Sequence, residues 1–202
     1  MKKARIAVLV SGGGTNLQAL IDAEKKGILK NGTIALVVAS NPNAFALERA
    51  AIAGIPADIA WKKVLGSQEA FEDKILDLIE KYKIDLIVLA GFMAILSERF
   101  TSRFPRRIIN VHPSLIPSFC GKGFYGLRVH EAALEYGVKV TGATVHFVNE
   151  IPDGGEILMQ KAVTIRPDDT PETLQKRVMR LAEWKILPMA VEQVSAELVE
   201  LR

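Results

Sequence analysis

The chain has 202 residues, 49% of them hydrophobic and 24% charged, with a formal net charge of +3. That length allows a sizeable core, and the balance is that of an ordinary globular protein rather than a disordered or disulfide-built one. The charges are interspersed, which suits a small anionic ligand and argues against nucleic acid as a partner. A lone cysteine, Cys120, rules out an internal disulfide and fits a reducing compartment.

Ile6–Val10 is too short an apolar run, before Ser11-Gly12-Gly13-Gly14, to be a signal peptide. No stretch is long enough to span a membrane, so a cytoplasmic location is expected. Residues 4–10 read as a strand and 16–26 as a helix. Residues 34–39 form a second strand, 44–54 an Ala-rich helix and 57–61 a short strand. The spacing of 67–82 predicts an amphipathic helix. Residues 86–90 are a fully apolar strand, followed by a short helix near 97–102 and a strand at 108–111.

Continuous apolar strands between helices predict a parallel sheet covered on both faces. Such sheets place ligands at the carboxyl ends of strands, here 11–16, 91–96 and 110–112. Residues 113–127 form an irregular loop rich in Gly and Pro, of a kind usually tied to function. A helix follows at 128–136. Strands at 140–148 and 156–165 could pair as an antiparallel extension. Thr170-Pro171 starts a helix, with Pro at its first position, and the final helix runs to about 196. The expected fold is α/β: a mostly parallel, doubly wound, Rossmann-like sheet with an antiparallel C-terminal extension and a long C-terminal helix, in one domain over 1–202.

Three clusters carry chemistry. The first is Ser11-Gly12-Gly13-Gly14-Thr15-Asn16, a glycine-rich strand–helix turn. Exposed backbone N–H groups and a helix N-terminus favour a phosphate there. It is no Walker A loop, since no Gly-Lys-Ser/Thr follows. Leu17 takes the place of a dinucleotide motif's third glycine, and Val38-Ala39-Ser40-Asn41 offers no acid, so a nicotinamide cofactor is disfavoured.

The second cluster is Asn110-Val111-His112-Pro113. Residues i and i+2 of a strand share a face, so the amide and the imidazole project together, about 7 Å apart at Cα. An amide donor beside a titratable ring suits polarising a carbonyl and moving a proton. The third is Pro152-Asp153-Gly154-Gly155, first of all a turn. If it lies beside the strand ends, ionised Asp153 would raise the His112 pKa. His130 reads as structural. His146, on the same face as Thr144, reads as support for the site. No histidine has metal-ligand spacing, so no metal is expected. Nucleophilic catalysis lacks a Gly-x-Ser-x-Gly elbow, and Cys120 has only Lys122 to activate it.

Ser-Gly-Gly-Gly-Thr-Asn-Leu-Gln-Ala at 11–19, Leu89–Met93, Asn110–Pro117, Gly142–Val148 and Asp153-Gly154-Gly155 together resemble the phosphoribosylglycinamide formyltransferase family, in order and over nearly the whole chain. The resemblance implies formyl transfer from 10-formyltetrahydrofolate to the amine of phosphoribosylglycinamide in purine synthesis, by a monomer or homodimer. It assigns Asn110 to the oxyanion, His112 to acid–base work and Asp153 to holding the imidazole charged. It places the nucleotide at Gly13, Gly14, Thr15, Asn16, Pro113 and Glu183. It places the folate at Met93, Ala94, Ile95 and Leu96, at Asn110, and at the Asn149, Glu150, Ile151 and Asp153 loop. The phosphate half would be about 1–105 and the folate half 106–202.

The chain departs from the family at Ala94 and Gln68, where arginine is common, which leaves Lys62 or Lys63 to meet a folate tail. The 117–126 loop also differs from the commoner form. Spacing in the last helix suggests a one-residue insertion, with Arg180 as an anion partner. Two related activities compete: a formyltetrahydrofolate deformylase, expected to carry an extra N-terminal domain, and a methionyl-tRNA formyltransferase, expected to carry an extra C-terminal one. A non-catalytic nucleotide-binding module is the remaining alternative.

Overall fold

The computed structural model describes residues 3–201. The first half alternates β1 (Ala4–Val10), α1 (Thr15–Lys25), β2 (Gly32–Ala39), α2 (Ala46–Ile52) and β3 (Ala57–Ile59), then α3 (Lys62–Leu65), α4 (Gln68–Lys81), β4 (Leu86–Leu89), α5 (Glu98–Thr101) and β5 (Ile108–His112). The second half contains α6 (Leu127–Tyr136), β6 (Val140–Phe147), β7 (Ile157–Thr164), α7 (Pro171–Val178), a π-helical turn (Met179–Glu183) and α8 (Trp184–Glu200). The strands form one sheet ordered β3-β2-β1-β4-β5-β6-β7. The first five are mutually parallel, and β6 and β7 join antiparallel.

β1 shows why both faces are covered. Ile6, Val8 and Val10 point into a core with α1, α2, α7 and α8. Ala7 and Leu9 point the other way, against Phe71, Ile75, Leu78 and Ile79 of α4 and Phe100 of α5. The four α4 residues recur at helical spacing and form its buried stripe. Ser67 caps α4 by accepting from the Ala70 amide at 3.0 Å. Thr170 and Thr173 form a reciprocal cap on α7, with Pro171 in its first turn.

The predicted elements are all present, with ends shifted by a few residues. The last helix differs more. It is not regular from Pro171 onward but widens into a five-residue π turn before α8. A π turn is how a helix absorbs one inserted residue, which accounts for the odd spacing. Among the described residues no helix is long and apolar enough to cross a membrane.

Candidate active site

The strand order reverses between β1 and β4: β2 and β3 lie on one side, β5 onward on the other. A crevice opens outside the carboxyl ends at such a switch point. There the Ser11 amide donates to the Gly91 carbonyl at 3.1 Å, and the Met93 amide donates to Ser11 Oγ at 2.8 Å. The β1 and β4 ends are thereby tied together.

Beside them lies a cavity of about 710 Å³, lined by Gly91–Leu96, Asn110–Pro113, Gly121–Gly126, His146 and Val148–Asp153. Antiparallel pairing sets Asn110 opposite His146 and His112 opposite Thr144. Thr144 donates to the Ser114 carbonyl at 2.7 Å and accepts from the Ile116 amide at 3.1 Å, which fixes the chain as it leaves His112.

Asp153 reaches this strand pair from the turn after Asn149. Its backbone is left-handed, φ 57°, a conformation Asp tolerates better than most residues. One carboxylate oxygen lies 3.4 Å from Asn110 Nδ2 and 3.6 Å from His146 Nε2. The other accepts from the Gly121 amide at 2.8 Å and lies 3.5 Å from His112 Nδ1. Burial alone would raise the Asp153 carboxyl, but His146, the charge of His112 and the Gly121 amide outweigh it and hold it below its usual range.

The expectation for His112 is corrected here. Asp153 does pull its pKa upward, as does the Phe119 carbonyl, which accepts from Nε2 at 2.8 Å. Burial is the larger effect, and the net shift is downward. His112 is only 5% exposed, and an imidazolium there loses its hydration. The resting ring is therefore neutral near pH 7 rather than held charged.

His146 is buried against Asn110. His130 is buried on α6, and neither ring nitrogen has a partner among the described residues. Burial, with His112 nearby, lowers its pKa to about 4. Burial and Asp153 push the Cys120 thiol up, away from reactivity.

The glycine-rich Ser11–Asn16 residues form a second group that does not line the cavity. Gly14 caps α1 in a left-handed conformation, φ 69°, with no side-chain cap. A Cβ there would stand 2.7 Å from Ala46 Cβ. Arg49 donates to the Gly13 carbonyl at 2.8 Å and holds the loop from α2. Asn16 donates to Glu183 at 2.7 Å across the sheet top. Burial raises the Glu183 carboxyl to about 7, opposed by that hydrogen bond.

Sequence reasoning missed three contributors. Phe119 and Gly121 act through backbone groups, which leave no side-chain signature. Glu72, a buried carboxylate on α4, accepts from the Ser97 amide and hydroxyl at 2.7 Å each, and so braces the Met93–Leu96 segment. A charge one turn from Gln68 on an otherwise apolar face was the available signal.

The formyl transferase family profile matches residues 4–191. A phosphoribosylglycinamide formyltransferase from Haemophilus influenzae is 42% identical over 192 residues, covering 95% of this chain and 86% of the relative. The human trifunctional purine biosynthetic protein adenosine-3 is 44% identical over 200 residues, covering 99% of this chain, which spans only 19% of that protein. The crystal structure of glycinamide ribonucleotide transformylase 1 from Symbiobacterium toebii superposes with a TM-score of 0.90 at 39% identity, covering 96% of this chain and 89% of that one. The chain belongs to the formyl transferase family, in its phosphoribosylglycinamide formyltransferase branch.

Proposed function

We propose that this enzyme transfers the formyl group of 10-formyltetrahydrofolate to the amine of phosphoribosylglycinamide, a step of purine biosynthesis. The observation that carries the reading is the meeting of Asn110, His112 and Asp153 at one end of an apolar cavity. Met93, Ala94, Ile95 and Leu96 line the cavity together with Asn149, Glu150, Ile151 and Asp153, and these two segments would hold the pterin. Gly13, Gly14, Thr15 and Asn16 would hold the nucleotide phosphate, with Pro113 beside the amine. Glu183 would hold the ribose and Arg180 would add charge on the π turn.

The amine attacks the formyl carbon, a C–N bond forms, and the carbonyl electron pair moves to oxygen. Asn110 Nδ2 donates to that oxyanion, which replaces its long contact to Asp153. His112 enters neutral, with its proton on Nε2 toward the Phe119 carbonyl, and takes the proton of the new ammonium on Nδ1. The imidazolium then lies against Asp153. The imidazolium returns that proton to N10 as the oxyanion electron pair re-forms the carbonyl and the bond from N10 to carbon breaks, releasing tetrahydrofolate and the formamide. The chain would supply acid–base help of about 10²–10⁴-fold, with the remainder from holding two substrates in register.

The test supplies 10-formyltetrahydrofolate with phosphoribosylglycinamide, with water alone, or with aminoacylated initiator tRNA. Formyl is expected on the glycinamide. Release of formate alone would identify a deformylase and overturn the reading.

A further inference from the structure

Neutral His112 carries one ring proton, and two groups compete for it. The Phe119 carbonyl accepts from Nε2 at 2.8 Å. The Asp153 carboxylate lies 3.5 Å from Nδ1. As the charged and stronger acceptor, it would draw the proton to Nδ1 if the carbonyl moved away. Only the first tautomer leaves Nδ1 open to take a proton from the reacting amine. The inference here rests on that proposed role of His112.

The chain is fixed on either side of Phe119. Ser114 Oγ donates to the Ser118 carbonyl at 2.6 Å, and the Gly121 amide donates to Asp153 at 2.8 Å. Neither contact sets the plane of the peptide between Phe119 and Cys120, whose oxygen meets His112. Phe119 itself has φ 51°, a left-handed conformation that a bulky residue keeps only when its surroundings hold it. Two aromatic rings supply that hold. The Phe119 ring meets Phe124 at 6.3 Å between centroids and 64° between planes, and Tyr136 at 6.0 Å and 72°. Both are edge-to-face contacts. Phe124 is folded back toward Phe119 by its amide, which donates to the Gly121 carbonyl at 3.1 Å. Tyr136 is the last residue of α6, is 81% exposed and does not line the cavity.

We propose that Phe124 and Tyr136 are positioning residues for the transfer. They grip the Phe119 ring, the Phe119 carbonyl keeps the His112 proton on Nε2, and Nδ1 stays open as the base. An exposed ring at the end of α6 thereby governs the tautomer of a buried imidazole.

Tyr136→Ala tests this, because an exposed ring outside the cavity can be removed without opening the core. It should lower kcat about two- to tenfold, the scale of one edge-to-face pair. KM for both substrates should stay unchanged, and Tyr136→Phe should restore kcat. Nitrogen NMR of histidine-labelled enzyme, above the pH at which His112 titrates, reads the tautomer directly, with the His112 signals assigned by their loss in His112→Gln. Wild type and Tyr136→Phe should carry the proton on Nε2, and Tyr136→Ala should move part of the population to Nδ1. An unmoved tautomer, an unchanged kcat, or a loss that Tyr136→Phe does not recover would overturn the proposal. A wild-type enzyme that transfers no formyl group to phosphoribosylglycinamide would instead overturn the function on which it rests.

Discussion

Asn110 and His146 face each other across β5 and β6, with Asn110 Nδ2 3.1 Å from His146 Nε2. The amide nitrogen can only donate, so Nε2 accepts, and the His146 proton sits on Nδ1, which donates to the Phe147 carbonyl at 2.8 Å. His146 thus aims the Asn110 amide. Nearby Asp153 fixes the same orientation, because an amide oxygen turned toward a carboxylate would be repelled.

Removing that donor should be costly. Asn110→Ala is expected to lower kcat by about 10²–10³-fold, the scale of losing one oxyanion donor. Steady-state kinetics would measure it, with circular dichroism checking that the fold persists. A kcat near wild type would remove Asn110 from the mechanism.

The pH profile should report on His112. His112→Ala should cut turnover by about 10²–10⁴-fold. In the wild type, burial lowers the ring's pKa below its usual 6.5, so the acid limb of kcat/KM should lie below that pH. Asp153 is the largest influence opposing burial. Asp153→Asn removes the charge that favours imidazolium, and the limb should move to lower pH still. A limb that rises in pH would mean Asp153 does not act on His112 through charge.

Glu183 should make stability depend on pH. Its carboxyl is raised to about 7 by burial, from 4.5 when exposed. The folded state therefore binds the proton more tightly than the unfolded chain does. The stability this contributes is fully present below pH 4.5 and is lost as pH rises to about 7. Thermal melts of wild type and Glu183→Gln between pH 5 and pH 8 should diverge as pH rises, with the wild type losing more. Parallel curves would place the carboxylate in a wetter site. The same variant should raise KM for phosphoribosylglycinamide.

Gly155 ends the turn that carries Asp153. A Cβ at this position would stand 1.8 Å from the Phe147 carbonyl oxygen. Gly155→Ala is expected to destabilise by about 1–3 kcal/mol, the usual cost of forced overpacking. It should also depress kcat by displacing Asp153. Chemical denaturation and kinetics on one preparation would check both, and an unchanged kcat would show that Asp153 holds its place without this contact.

The sheet was legible because its strands are buried on both faces and read as unbroken apolar runs, as in Leu86–Leu89. The i, i+2 spacing of Asn110 and His112 was enough to put both on one face. The sign of the His112 shift was not legible, because it turns on how much water the fold excludes. The Asn16–Glu183 bond joins residues 167 positions apart and has no local pattern. Backbone contacts from Phe119 and Gly121 depend on a loop path that no side-chain pattern encodes.

The π turn at Met179–Glu183 joins two helices that pack into one core. Leu174 and Val178 of α7 and Leu187, Ala190, Val191 and Val194 of α8 all enter the same core. Each residue advances an α-helix by about 100°. An extra residue in a regular helix would swing the whole apolar stripe of α8 toward solvent. Widening a single turn confines that rotation to five residues and leaves both stripes in phase with the sheet. The segment bearing Arg180 and Glu183 is thus a place where chain length can change by one while the core keeps its registry, so the surroundings of the Asn16–Glu183 hydrogen bond can vary in evolution without the fold being rebuilt around them.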